Sequence, residues 1–131
     1  MRDSRIPFLK SLGLPFVVHG RTNDPEDSYS WVDVNNRRAF HTAAKHLLEA
    51  GHRRIALING WEYMTFAAKR RDGLEKAMRE YGAEPDPEIM ISSEMIEPVG
   101  HDAMKRFLNL DNPPTAVLCS SVLNAMGAMR A

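Results

Sequence analysis

Apolar and polar positions along this chain alternate between two periods. Leu14-Pro-Phe-Val-Val-His19 is a short apolar run, and Ser30-Trp-Val-Asp-Val34 is a second. Between them Arg21 to Ser28 is polar, with Asn23-Asp-Pro25 marking a turn. From Asn36 to Ala50 the apolar residues fall at Ala39, Phe40, Ala43, Ala44, Leu47 and Leu48. Pairs recurring at that step form one helical face, with Asn35 or Asn36 suited to cap its start and Gly51 its end. Ile55 to Ile58 reads as a buried strand, and a turn is expected at Asn59-Gly60. The next helix, from Thr65 to Tyr81, turns Ala67, Leu74, Ala77, Met78 and Tyr81 inward and stops at Gly82. Glu88 to Ser92 is a further strand. Pro98 suits the first turn of a helix whose core face is Ala103, Met104, Phe107 and Leu108, and Asp111-Asn-Pro-Pro114 breaks it. Thr115 to Cys119 is the last strand and Val122 to Ala131 the last helix.

Strands alternating with helices imply right-handed crossovers and an α/β fold with a doubly wound parallel sheet. Such sheets hold small ligands just beyond the carboxyl ends of their strands. Here those positions are His19-Gly20-Arg21, Asn35-Asn36, Gly60 to Phe66, Ser93 to Met95 and Ser120-Ser121. Trp61, Tyr63, Phe66 and Met95 supply flat apolar walls, and Arg70 follows on the first turns of a helix. A polyol has apolar faces and a hydroxyl rim, so this mixture suits a sugar-like guest. Each residue also has a plainer reading. Arg70 is alternatively a solvated arginine beside Lys69 and Arg71, His19 a strand-end histidine, and Trp61 a cover for a sheet edge. The methionines read mostly as core filler.

Composition narrows the function classes. The chain has 131 residues, enough for one domain with its own core. Lys plus Arg and Asp plus Glu both number 17, and zero net charge does not suit a broad surface for DNA or an anionic membrane. The single cysteine, Cys119, allows no internal disulfide and favours a reducing compartment. No apolar run approaches the roughly 20 residues of a membrane span, and MRDSRIPFLKSLG lacks the apolar block of a signal peptide. The cytoplasm is the expected address. Catalysis finds no support. Ser120-Ser121 lacks a Gly-x-Ser-x-Gly setting, His41 and His46 do not share a helical face for a metal, and Gly-rich phosphate loops are missing. The expectation is a binding domain with no enzymatic activity, cofactor, metal or membrane partner.

Four segments, LGLPFVVHGR, WVDVNNRRAFHTAAKHLLEAGHRRIALING, the helix start from Arg70 to Leu74, and PPTAVLCSSVLNAMGAMRA, together resemble the effector-binding module of lactose-repressor/galactose-repressor (LacI-type) transcription regulators. The likeness runs in order over nearly the whole chain. Within the family, His19-Gly20-Arg21 with its aromatics looks most like regulators of sugar, α-glucoside, utilisation. The resemblance implies a type I periplasmic-binding-protein fold, present in part. Residues 1–35 would end the amino-terminal lobe and residues 36–131 form most of the carboxyl-terminal lobe. It also implies a repressor's sugar-sensing domain, in which the ligand closes the lobes and so alters DNA binding. Such modules usually form homodimers through the carboxyl-terminal lobe. Operator DNA would be reached only through a helix-turn-helix, which the start of this chain lacks, so the chain reads as an internal piece. A sugar-binding protein of a transport system is the alternative and would need an export signal. A receiver domain would need acidic residues clustered at the strand ends, where His, Asn and Ser stand instead.

Carried across residue by residue, His19 stands where the family often has a ligand-contacting Asp, and Arg70 where an arginine commonly grips the effector. Met64 and Phe66 match loop positions that face the ligand, Met95 the place of an aromatic wall, and Ser121 a frequent Asn contact. With Trp61 these are the candidate ligand-binding residues. Three departures stand out. Val122 replaces a usual Asp, which implies a poorly started last helix. Asn124 replaces an apolar residue, and Asn35 replaces a common Asp.

Overall fold

The computed structural model describes residues 4–22 and 28–131, so the turn expected at Asn23-Asp-Pro25 lies outside the described residues. A helix that the apolar pattern did not announce comes first: α1, Arg5–Ser11. Its seven residues bury only Ile6, too little for a period to register. The strands β1, Val17–His19, and β2, Ser30–Val32, pair in parallel with Val18 opposite Trp31. Each is shorter than the run that predicted it.

The chain then crosses into α2, Asn36–Glu49, capped by Asn35, whose side chain accepts from the Arg38 N–H at 3.0 Å. Gly51, at φ 97°, turns the chain out of the helix in a conformation that favours glycine. There follow β3, Ile55–Asn59, α3, Thr65–Glu80, β4, Met90–Ser92, α4, Glu97–Leu108, β5, Ala116–Cys119, and α5, Val122–Met129. A short 3₁₀ turn, Pro87–Ile89, leads into β4 where a longer strand was expected. Asn59 is the last residue of β3, not part of a turn; the turn closes later, where the Met64 N–H donates to the Trp61 carbonyl at 2.9 Å.

The second sheet has the order β4-β3-β5, parallel throughout. Its central strand is buried on both faces, and the period of two divides it cleanly. Ile55 and Leu57 pack with Ala44 and Leu48 of α2 and Leu74, Ala77 and Met78 of α3. Ala56 and Ile58 pack with Ala103 and Phe107 of α4 and with Ala128 of α5. This is the doubly wound arrangement, and each fully buried Leu, Ile or Met stabilises it by about 2 kcal/mol.

Ala39 and Leu108, expected on core faces, are exposed, Leu108 by 51%. Each lies one residue, and so about 100° of helix, away from its buried row. Leu123, Met126 and Met129 are exposed as well, leaving an uncovered apolar stripe on α5.

The last helix starts well despite Val122. Ser121 is its cap, with Oγ accepting from the Asn124 N–H at 3.1 Å. The unusual Asn124 is fully buried, and its amide donates to the Ile96 carbonyl at 3.1 Å, so a polar residue is satisfied where an apolar one is usual. Ser121→Ala is expected to lower stability by about 1 kcal/mol. An unchanged urea midpoint would show that the cap contributes nothing.

Candidate functional site

A cleft of about 510 Å³ opens between the first sheet and the β3–α3 loop. One wall is built from Ser4 and Ile6 at the start of α1, His19-Gly20-Arg21 at the end of β1, Tyr29, and Asp33 just past β2. The other is Tyr63, Met64, Thr65 and Phe66. Apart from the start of α1 and Tyr29, both walls are built just past the carboxyl ends of parallel strands, the second running into the first residues of α3. Thr65 Oγ1 links them, donating to the Arg21 carbonyl at 2.8 Å.

An ion pair stands in the cleft and a hydrogen-bonded chain leads from it to Arg70. The Arg21 guanidinium lies 4.4 Å from the centre of the Trp31 ring and 4.0 Å from the Asp33 carboxylate. The Asp33 side chain is only 9% exposed and also accepts from the Asn36 amide at 3.2 Å. Asn36, itself buried, passes the connection on: its Oδ1 accepts from Arg70 Nε at 2.8 Å. Arg70 Nη1 donates in turn to the Ser120 carbonyl, just past β5, at 2.7 Å. The guanidinium is flanked by Phe40 and Phe66, whose ring centres lie 5.3 and 4.9 Å away. Burial pulls its pKa below the ordinary arginine value, and the Asp33 charge opposes this. The result is a half-buried cation that donates to neutral oxygens alone among these contacts.

A second polar cluster fixes the strand tips. Asn59 is fully buried, donates to the Ala67 carbonyl at 2.9 Å, and accepts from the Gly60 N–H at 3.0 Å and from Ser120 Oγ. It anchors the first turn of α3 to β3 and thereby sets where Phe66 and Arg70 stand.

Of the seven predicted site residues, His19, Met64 and Phe66 line the cleft. Arg70 lies behind Phe66 at the strand tips and is not part of the lining. Phe66 and Met95 both crowd Gly60, where a Cβ would stand 3.1 Å from Phe66 Cζ and 3.2 Å from Met95 Sδ. Trp61 stacks on Tyr63 beside the cleft. Ser121 is committed to capping α5 and hydrogen-bonds Asn124 Oδ1 at 2.9 Å. Thr65 falls in the Gly60 to Phe66 span that the strand-end rule marked, whereas Tyr29 and Asp33 were missed as lining residues. Asp33 was within reach: the strand-end rule applied to a strand ending at Val32 points to it, but the apolar pattern extended that strand to Val34.

A family model described as periplasmic binding proteins and sugar-binding domain of the LacI family matches residues 2–131. The HTH-type transcriptional regulator AglR of Rhizobium meliloti (strain 1021) is 50% identical over 129 residues, covering 98% of this chain and 36% of its own length. A regulatory protein of the LacI family from Chloroflexus aggregans has the same fold, with a TM-score of 0.87 and 30% identity over 99% of this chain and 47% of its own. The transcriptional regulator CelR in complex with cellobiose superposes with a TM-score of 0.85 and 33% identity, over 98% of this chain and 40% of its own. The chain therefore spans less than half the length of these relatives.

Proposed function

The chain belongs to the family of periplasmic binding proteins and LacI-type sugar-binding domains, and from that membership we propose that it is the sugar-sensing part of a transcriptional repressor. The observation that carries the reading is the cleft at the strand tips, with the Asp33–Asn36–Arg70–Ser120 chain of hydrogen bonds running beside it. Hydroxyls of a bound sugar would find His19, Arg21 and Asp33 in the cleft and would reach Arg70 at its margin once Phe66 gives way, and its apolar faces would meet Phe66, Met64 and Tyr63. The protein acts by binding, without chemistry on its ligand.

Residues 1–35 are read as the end of the amino-terminal lobe and residues 36–131 as most of the carboxyl-terminal lobe. The two sheets fall on either side of that boundary. Segment 33–36 is the crossover between them and also holds Arg70, so a ligand gripping Arg70 and Asp33 acts directly on the joint. Binding shifts the population toward closed lobes, and a helix-turn-helix unit outside these residues passes the change to operator DNA. The exposed Leu123, Met126 and Met129 suit a homodimer contact on the carboxyl-terminal lobe. A cytoplasmic location follows from the role; no helix among the described residues is long and apolar enough to cross a membrane.

The test is a thermal-shift screen of neutral sugars on the full-length protein, followed by operator-fragment binding with the best of them. A sugar at about 100 times its Kd should stabilise the protein by about 2.7 kcal/mol and change DNA affinity. Sugar binding with no effect on DNA would favour the transport-protein alternative, and no stabilisation by any sugar would end the sugar reading. Light scattering on the same sample should report a dimer; a monomer would remove the α5 stripe from the account.

A further inference from the structure

The β3–α3 loop carries two large aromatic residues that the core does not use. Trp61 is 40% exposed and Tyr63 55% exposed. Their rings are nearly parallel, 14° apart, with centres 6.3 Å from each other. That is an offset stack, which leaves part of each face open.

The loop that presents them is pinned. The Glu62 N–H donates to Ser92 Oγ at 2.9 Å, and both Glu62 carboxylate oxygens accept from Arg71 at 3.1 Å. The Met64 N–H closes the turn on the Trp61 carbonyl at 2.9 Å. Arg71 is itself held by Glu75 at 2.8 Å. Apolar rings kept in water on so fixed a loop are preorganised to receive something flat. They are also continuous with the cleft: Tyr63 lines it, and so do the three residues that follow.

We infer that Trp61 and Tyr63 form a stacking ledge for a second sugar ring, so that the effector is an oligosaccharide of at least two rings. The inference rests on the sugar-sensing reading. The first ring occupies the space before Phe66, Met64 and His19, where polar groups converge. The second ring leaves that space along the loop and lays an apolar C–H face over the Tyr63–Trp61 pair. The Glu62 carboxylate and Arg71 are engaged with each other there, so selection at this ledge is mainly by shape and apolar area. A monosaccharide fills the first position and leaves the ledge wet.

The experiment is titration calorimetry of the full-length protein with a panel of gluco- and galacto-configured disaccharides and their constituent monosaccharides. At least one disaccharide should bind roughly tenfold or more tightly than its own monosaccharides, which corresponds to about 1.4 kcal/mol. Trp61→Ala should abolish that advantage while leaving monosaccharide affinity in place, and Trp61→Phe should retain most of it. Equal affinities for one and two rings in the parent protein, or a disaccharide advantage that survives both Trp61→Ala and Tyr63→Ala, would overturn the ledge while leaving sugar sensing intact. Failure of every sugar, monosaccharides included, would overturn both. In a background that retains Trp61 as the one tryptophan of the full-length protein, its emission should be open to acrylamide quenching and become protected by the disaccharide. Protection before any sugar is added would mean that another part of the protein covers the pair, and would also sink the proposal.

Discussion

Alanine at Gly73 or at Gly127 is expected to lower stability by about 3 kcal/mol, against the usual direction of this exchange in a helix. In a helix interior alanine is ordinarily favoured over glycine by about 1 kcal/mol. The neighbours reverse the sign here. A Cβ on Gly73 would stand 2.2 Å from the Arg37 carbonyl oxygen of α2, and one on Gly127 would stand 2.0 Å from the Glu97 carbonyl oxygen of α4. Both obstacles are backbone, so no rotamer change relieves them and the helix pairs must separate. Gly100 faces the same difficulty from the other side, with the Asn124 carbonyl oxygen 2.1 Å from its Cβ position. Each crossing supports one face of β3, so loosening it also opens one of the two core clusters. Urea unfolding reads the effect directly. A variant with a midpoint equal to or above the parent's would mean that the helices part without cost, and the close-crossing account would fail.

Arg70→Ala is expected to weaken effector binding about 100-fold and to cost a further 1–3 kcal/mol or so of stability. The first effect follows from removing the one guanidinium that meets both the crossover segment and the tip of β5. The second follows from what remains. Asn36 Oδ1 and the Ser120 carbonyl each lose a donor, and the space between Phe40 and Phe66 loses its filling. Arg70→Lys should rescue little of either, because a single ammonium cannot reproduce a planar fork that reaches two acceptors while lying against two rings. Calorimetry with the best-binding sugar, paired with thermal unfolding, separates the two effects. Undiminished affinity in Arg70→Ala would leave the arginine a purely structural residue and remove it from the site.

Much of the fold was legible because it is written in local periodicity. The run Ile55 to Ile58 announced a strand buried on both faces, and the paired apolar steps of α2 and α3 announced which sides meet it. Where the pattern failed, the elements were short or marginal. Helix α1 buries one side chain, and β2 stops before the apolar run that contains it does. The candidate site was legible in outline only. Strand-end positions pointed to His19, Met64 and Phe66, which line the cleft, and to Ser121, whose hydroxyl caps a helix. The departure at Val122 misled because the capping role sits one residue earlier, on Ser121, and a cap depends on backbone geometry that spacing does not reveal.

From its residues alone this chain specified strands alternating with helices, which follow from patterns repeated over neighbouring positions, and zero net charge; its segments also carried the resemblance to the LacI-type family. The hydrogen-bonded partners of Arg70 lie 34 and 50 residues away. No local pattern encodes such a meeting; it requires the crossover at Asn36, the first turn of α3 and the end of β5 to be brought to one edge by the packing of the sheet. The same holds for the ring stack at Trp61 and Tyr63, where Arg71 and Ser92 set the loop. Periodicity states which way a side chain faces, and packing alone states what it meets there.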